Sequence, residues 1–287
     1  MPTQQSPHVL LMACHDTVGI VAAVSGFLSQ SKGFIIESSQ YSDLETNRFF
    51  MRIVFLPGPD TKMPEGFRVS FQAVAEKFNM DWSLHECSCK SRLLVLVSKF
   101  DHCLNDLLYR YRTGILPVEI AGVVSNHPDL EKIVAWHGIP FHHLPVSAAN
   151  RPQQEKQILD LVAKEKIDLV VLARYMQVLS SPMCQALSGK AINIHHSFLP
   201  SFKGANPYKQ AYQRGVKLIG ATAHYVTDVL DEGPIIEQEV ERVDHAQSPD
   251  SLRAIGRDIE NIVLARAVRY YIEHRIFING HKTVVFR

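Results

Sequence analysis

The sequence predicts an α/β protein in two parts, a small βαββαβ sandwich followed by a larger, doubly wound and mostly parallel sheet. Three observations predict it. Over the first 86 residues, period-two and helical apolar patterns follow one another in the order β, α, β, β, α, β. From Arg92 onward, short continuous apolar runs such as Leu93–Val97, the mark of strands buried on both faces, alternate with amphipathic stretches. The length, 287 residues, leans toward two domains, and 46% hydrophobic residues are enough to fill their cores.

The elements can be justified in order. His8–Cys14 reads as a strand, and Asp16 is the expected N-cap of a helix whose apolar positions Ile20, Val21, Val24, Phe27 and Leu28 share a face. A strand over 34–41, a polar turn at Asp43–Asn47 and an alternating strand over Arg48–Phe55 come next. A Pro/Gly loop over 57–66 then leads into a helix over 67–79 and a short strand over Trp82–Glu86. This order is that of a ferredoxin-like sandwich. Residues 87–91 form the expected linker. Beyond it, strands are predicted over 93–97, 118–124, 168–173, 190–195 and 218–226, with helices over 101–112, 129–137, 152–165 and 206–214. Ser248 and Pro249 open a long helix over 248–273. Residues 276–286 close the chain as a hairpin turning at Asn279-Gly280.

Composition excludes several classes. The 30 basic and 29 acidic residues are well mixed and leave a net charge of +1, so nothing favours a nucleic-acid partner. No apolar run approaches the ~18–20 residues of a membrane span, and the first seven residues lack the pattern of a signal peptide. A cytoplasmic protein is expected. The five cysteines (Cys14, Cys87, Cys89, Cys103, Cys184) are odd in number and scattered, so reduced thiols are expected rather than a disulfide framework. Cys87-Ser-Cys89 has no second close Cys or His pair, and no metal is expected.

The chemistry concentrates in two strings. Asn193-Ile-His195 follows an apolar run in which a strand points both side chains to one face, and Asp231 stands 38 residues beyond Asn193, before Gly233-Pro234. An amide donor, an imidazole and a carboxylate are what acyl-group chemistry uses: one group holds a developing oxyanion, one moves protons, one positions or activates the attacker. Alone, each has a bland reading, as a turn cap, a satisfied core histidine or a turn carboxylate. Their occurrence together, with the tail Ser197-Phe-Leu-Pro-Ser-Phe-Lys-Gly204, favours a site. If the strand continues, His196 points away from it. His224 lies near the pocket by resemblance. His142-His143 is expected in a loop after a short strand and carries no assigned role.

Residues 91–287 resemble the folate-dependent formyltransferases. The strings that carry the resemblance are Asp168–Leu179, Asn193–Gly204 and Gly220–Pro234. It implies that Asn193, His195 and Asp231 are catalytic. It also implies that the segments Tyr175, Met176, Gln177, Val178, Leu179 and Val226, Thr227, Asp228, up to Asp231, cradle the pterin ring. Residues 8–86 resemble an ACT regulatory domain in the Asp16-x-x-Gly19 pattern and in element order. That resemblance implies amino-acid binding at Asp16 and Gly19, with methionine or glycine as candidate effectors, or subunit pairing into a homo-oligomer such as a tetramer. The expected organisation is therefore an ACT-like domain over 1–86, a linker over 87–91 and a formyltransferase-like catalytic domain over 92–287.

The turn after the first strand of the second domain bears on the acceptor. Transferases acting on glycinamide ribonucleotide have a Gly-x-Gly-Ser-Asn turn there, whose helix N-terminus holds the acceptor's phosphate. Here the turn reads Ser98–Asp106 without glycines, and Asp101 stands where a phosphate would approach. An RNA-acting formyltransferase would instead carry an additional domain behind the catalytic one. An ACT-like domain placed first, with a degenerate phosphate turn, resembles the folate deformylase branch of the family. The implied reaction is hydrolysis of 10-formyltetrahydrofolate to tetrahydrofolate and formate, supplying formate for purine biosynthesis and balancing the one-carbon pool. Folate is then the substrate, with no retained cofactor. The alternatives are formyl transfer to an amine such as glycinamide ribonucleotide, a silent amino-acid-sensing binder and, more distantly, a metal-dependent hydrolase built on the His-rich loops.

Overall fold

The computed structural model describes residues 6–200 and 207–287. The chain divides into two compact units. One runs up to Cys89 and includes Glu273–Phe277 and Val284–Arg287; the other holds Lys90–Ile272 and Ile278–Thr283.

The first unit consists of β1 (His8–His15), α1 (Ile20–Gln30), β2 (Phe34–Asp43), β3 (Arg48–Leu56), α2 (Glu65–Lys77) and β4 (Asp81–Glu86). Its four strands are antiparallel in the order β2-β3-β1-β4, the ferredoxin-like arrangement. Leu10, Met12, Ile53 and Phe55 project from one sheet face onto the helices. There Phe71 meets Phe27 at 5.2 Å, Phe67 at 5.8 Å and Trp82 at 4.9 Å between ring centroids. Such aromatic pairs add to the area they bury. The residues C-terminal to Ile272 serve this unit as well: Phe277 packs on Phe50, and the Arg52 guanidinium donates to the carbonyls of Glu273 and His274. The sequence expectation that 92–287 would form one domain is corrected there, because buried Arg52 takes its backbone acceptors from that segment.

One helix start also differs from expectation. Asp16 does not cap α1: the N-cap is Gly19, at φ 96°, and no side chain completes the cap. The Asp16 N–H instead bonds the Asn47 carbonyl, which holds residues 16–19 as a turn. A left-handed residue at the cap suits Gly and no β-branched neighbour.

The second unit contains β5 (Arg92–Val97), α3 (His102–Arg112), β6 (Glu119–Ser125), α4 (Glu131–Trp136), β7 (Phe141–His143), α5 (Arg151–Lys164), β8 (Leu169–Leu172), α6 (Ser181–Ala186) and β9 (Ala191–His195). After these come α7 (Pro207–Arg214), β10 (Leu218–Tyr225), β11 (Ile235–Arg242) and α8 (Pro249–Ile272). The seven-stranded sheet has the order β11-β10-β9-β8-β5-β6-β7. Strands β5 to β9 are parallel, and β10 runs antiparallel to both of its neighbours. The chain winds outward from β5 through β6 to β7, then returns to β8 on the other side of β5. The carboxyl ends of β5 and β8 therefore flank the switch point where such sheets bind ligands. Ser248 caps α8, its Oγ accepting from Ser251 N–H at 3.1 Å.

Strand β12 (Ile276–Asn279) and β13 (Lys282–Val285) form the expected hairpin around Gly280 at φ 62°. Two elements were not expected, α6 and β11, and the short strand expected ahead of His142-His143 is β7. His142 and His143 lie in β7 rather than in a loop. Residues 201–206, which include the end of the Ser197–Gly204 string and the first position of the expected helix over 206–214, lie outside the described residues.

Candidate active site

At the carboxyl ends of β8 and β9 the second unit encloses a cavity of about 590 Å³, a size that suits a small-molecule site. Asn193 and His195, two apart on β9, reach the cavity together because a strand turns alternate side chains to one face. Asp231 comes from the loop between β10 and β11. That loop is closed at its base by Tyr225 N–H bonding the Pro234 carbonyl at 3.0 Å. Gly233 makes the closure possible, since a Cβ there would lie 1.7 Å from the Tyr225 oxygen. Asp231 itself sits at φ 59°, in the left-handed region that few side chains adopt.

The three groups form a connected set. His195 Nδ1 lies 3.2 Å from Asp231 Oδ1. A carboxylate only accepts, so Nδ1 carries a proton, and Nε2 is the nitrogen turned away from Asp231. That Nε2 is buried and makes no hydrogen bond among the described residues. Across the strand pair, His224 on β10 stands opposite Asn193. His224 Nδ1 donates to the Tyr225 carbonyl at 2.9 Å, leaving Nε2 to accept from the Asn193 amide at 3.2 Å. One amide hydrogen of Asn193 is thus fixed, and the amide cannot swing freely.

Electrostatics keep the charges where the bonds need them. Burial pushes the Asp231 carboxyl up, but the hydrogen bond from His195 and the nearby imidazoles outweigh it and leave the group below the usual carboxylate range. Burial holds His224 below the usual imidazole range, and it takes His196, beside Arg174, down to about 3, so both rings are neutral. His196 does not point away from the site. The strand ends at His195, alternation stops there, and the two rings stand 5.1 Å apart at the cavity wall.

Apolar side chains make up much of the remaining lining. Tyr175, Met176, Gln177, Val178 and Leu179 line it together with Val226, Thr227 and Asp228. Leu172, Tyr175, Leu179 and Val226 are continuous with the core beneath the sheet. The 175–179 segment is held from α5: Gln154 Nε2 donates to the Tyr175 hydroxyl at 2.7 Å, Arg151 donates to the Val178 carbonyl, and Glu155 accepts from Ser180 N–H at 2.8 Å. Ser98, at the end of β5, accepts from Met176 N–H at 3.0 Å and donates to Asn126 at 2.7 Å. Asp101 is the N-cap residue of α3, and its carboxylate accepts from the Asn105 amide at 3.0 Å.

Sequence reasoning missed Ser98, Arg151, Gln154, Glu155 and a buried group around Glu260. Glu260 could have been noticed, because it interrupts the apolar stripe of Ile259, Val263 and Leu264 on α8. His102, Cys103 and Glu260 place potential ligand atoms within 4.8 Å of one another. Burial, then the Glu260 charge, raise the Cys103 thiol well above its ordinary value, so it stays protonated. His102 and Tyr208 already donate to Glu260. His102, Tyr208 and Glu260 thus form a hydrogen-bonded cluster. In the first unit, Asp16 is half-buried and Gly19 is exposed at the turn before α1. Cys87 and Cys89 are free and exposed, and the other three cysteines are free and buried.

A doubly wound sheet with an amide, an imidazole and a carboxylate converging beside an apolar slot defines an acyl-transfer class of protein. The chain belongs to the formyl transferase family, whose model matches residues 91–268. Within that family it is 51% identical to a formyltetrahydrofolate deformylase of Corynebacterium sp. strain P-1, over 99% of this chain and all of that protein. The solved formyltetrahydrofolate deformylase of Burkholderia mallei superposes with a TM-score of 0.93 at 51% identity, covering 98% of this chain and all of that one. A glycinamide ribonucleotide transformylase of Symbiobacterium toebii is 31% identical with a TM-score of 0.64, covering 69% of this chain and 95% of its own. Among the described residues, no helix is long and apolar enough to cross a membrane.

Proposed function

We propose that the chain hydrolyses 10-formyltetrahydrofolate to tetrahydrofolate and formate. The observation that carries this reading is the linked set Asn193, His195 and Asp231 at the mouth of an apolar slot, in a chain that deformylases match over nearly its full length. The transformylase likeness covers only 69% of the chain, which supports water over an amine as the acceptor.

In this scheme the pterin lies against Tyr175–Leu179 and Val226–Asp228, and the formyl group reaches Asn193. Asp231 holds the His195 ring so that Nε2 takes a proton from water as its oxygen attacks the formyl carbon. The second amide hydrogen of Asn193, free of His224, stabilises the oxyanion. Collapse breaks the carbon–N10 bond, and the proton held on His195 passes to N10. Formic acid then loses its remaining acidic proton and leaves as formate. No metal or retained cofactor takes part.

The test is formate release from 10-formyltetrahydrofolate with no amine present. Asn193→Ala and Asp231→Asn are expected to lower kcat by about 10²–10³ with little change in thermal midpoint. Near wild-type turnover in either folded variant would overturn the assignment.

The first unit reads as an ACT domain, supported by its strand order and the turn holding Asp16 and Gly19. It binds methionine or glycine there and pairs subunits into a homo-oligomer such as a tetramer. The exposed apolar side chains Phe34, Ile36 and Tyr41 on edge strand β2 support the pairing. Light scattering showing a monomer at micromolar concentration would remove it. Five unpaired cysteines support work in the cytoplasm.

A further inference from the structure

Across the cavity from the apolar slot stands a group of side chains that the hydrolytic scheme leaves unused. Glu260, on α8, is only 1% exposed and has both carboxylate oxygens engaged. The Tyr208 hydroxyl donates to Oε1 at 2.7 Å, His102 Nε2 donates to Oε2 at 2.8 Å, and Arg174 Nε stands 3.3 Å from Oε2. Burial pushes Glu260 up, but the His102 bond, the Arg174 charge and the Tyr208 bond outweigh it, and the group remains a carboxylate. Gly256, one turn earlier, leaves room for the arrangement, since a Cβ there would lie 2.1 Å from the Tyr208 ring. The group adjoins the catalytic side chains: His196 lies 5.1 Å from the His195 ring and 6.2 Å from the Tyr208 ring. Phe100 covers its outer edge, with the guanidinium of Arg174 5.2 Å and that of Arg257 5.9 Å from the ring centroid.

We propose that this wall, His102, Tyr208 and Arg174 drawn together on Glu260, selects water by denying an amine carrier a place beside the formyl carbon. The inference rests on the hydrolytic reading above and names what makes the site hydrolytic. The pterin side of the cavity is fixed by the apolar segments, so the attacking atom approaches from the wall. Water needs only about 30 Å³. A substituted amine needs a channel for the rest of its molecule. Glu260 at 1% and Tyr208 at 9% exposure are buried side chains that fill this side of the cavity lining. Its members come from α3, α7, α8 and the end of β8, and charge-assisted bonds to one carboxylate keep them from yielding independently. Lys209, Arg253 and Arg257 also line the cavity and, with Arg174, oppose the entry of an alkylammonium ion. His102 reaches Glu260 from the first position of α3.

The two outcomes differ only in the attacker. With water, oxygen bonds the formyl carbon, the carbon–N10 bond breaks, N10 gains a proton and formate leaves. With a primary amine, nitrogen forms the new bond, the same bond breaks, the amine proton goes to N10 and an N-formyl amine results.

The experiment uses the full chain with 10-formyltetrahydrofolate and an excess of glycinamide, reading the ratio of formylated amine to formate. Wild type is expected to yield formate almost alone. In Tyr208→Ala and His102→Gly the ratio should rise about tenfold or more, whereas Tyr208→Phe, which keeps the volume, should stay within about twofold of wild type. A purely structural role for the wall would lower both products together and leave the ratio unmoved. Wild-type ratios in folded Tyr208→Ala and His102→Gly overturn the proposal. Should Tyr208→Ala not fold, the less buried His102→Gly decides alone. Wild type that already formylates the amine overturns it too. Wild type that releases no formate in the absence of amine instead defeats the hydrolytic reading, a separate result.

Discussion

The two units bury different things. The first closes over rings, with Phe27, Phe67, Phe71 and Trp82 stacked edge and face against an antiparallel sheet. The second buries Arg174, His195, His224 and Glu260, which line one cavity, and Gln154 and Glu155, which hold the 175–180 segment beside it. Burying ionisable groups costs free energy unless each is paired, and a fold with a sufficient apolar core has no need of them for stability. Their concentration around the carboxyl ends of β8 and β9 therefore points to chemistry. Packing decides the behaviour of the first unit, and hydrogen-bond partners decide that of the second.

That contrast can be broken most severely at Gly233. Gly233→Ala forces the loop off the Tyr225 carbonyl and takes Asp231 with it, so formate release is expected to fall by about 10³ or more. Retention of turnover would mean that the loop geometry is not required. Next in size is Phe71→Ala, which opens the aromatic core and should cost about 3–5 kcal/mol by denaturant unfolding. The folded protein should keep kcat within about twofold of wild type. Loss of kcat in a folded sample would show that the first unit does more than pack. The smallest effect concerns the proposed effector site. Methionine or glycine at a hundredfold excess over Kd should stabilise the chain by about 2.7 kcal/mol, and Asp16→Ala should abolish the gain. Calorimetry that detects no binding of either amino acid reduces the unit to a scaffold.

Much of this architecture was legible in the sequence where apolar pattern and strand or helix period agree. The βαββαβ order, the buried strand Leu93–Val97 and the long helix opened by Ser248-Pro249 all follow from local pattern. So does the shared face of Asn193 and His195, because two residues in a strand differ by one full pleat. What escaped was set by partners distant in sequence. Strand β11 reads Ile-Ile-Glu-Gln-Glu-Val-Glu-Arg, too polar to announce itself, and exists because β10 supplies its ladder. Helix α6 is too short for a period to show. His196 was misjudged because nothing local marks where β9 stops. His102 and Glu260 are 158 residues apart, and only the closed fold brings them to 2.8 Å.

The backbone at Asp231 narrows what evolution can place there. At φ 59° the comfortable residues are Gly, Asn and Asp. Of these only Asp offers a negative acceptor to His195 Nδ1. Glutamate, the usual conservative exchange, keeps the charge but meets the conformation badly, whereas asparagine keeps the conformation and surrenders the charge. Amino-acid exchange at this position thus has no neutral neighbour: a replacement gives up either the conformation of the loop or the charge on the imidazole's partner.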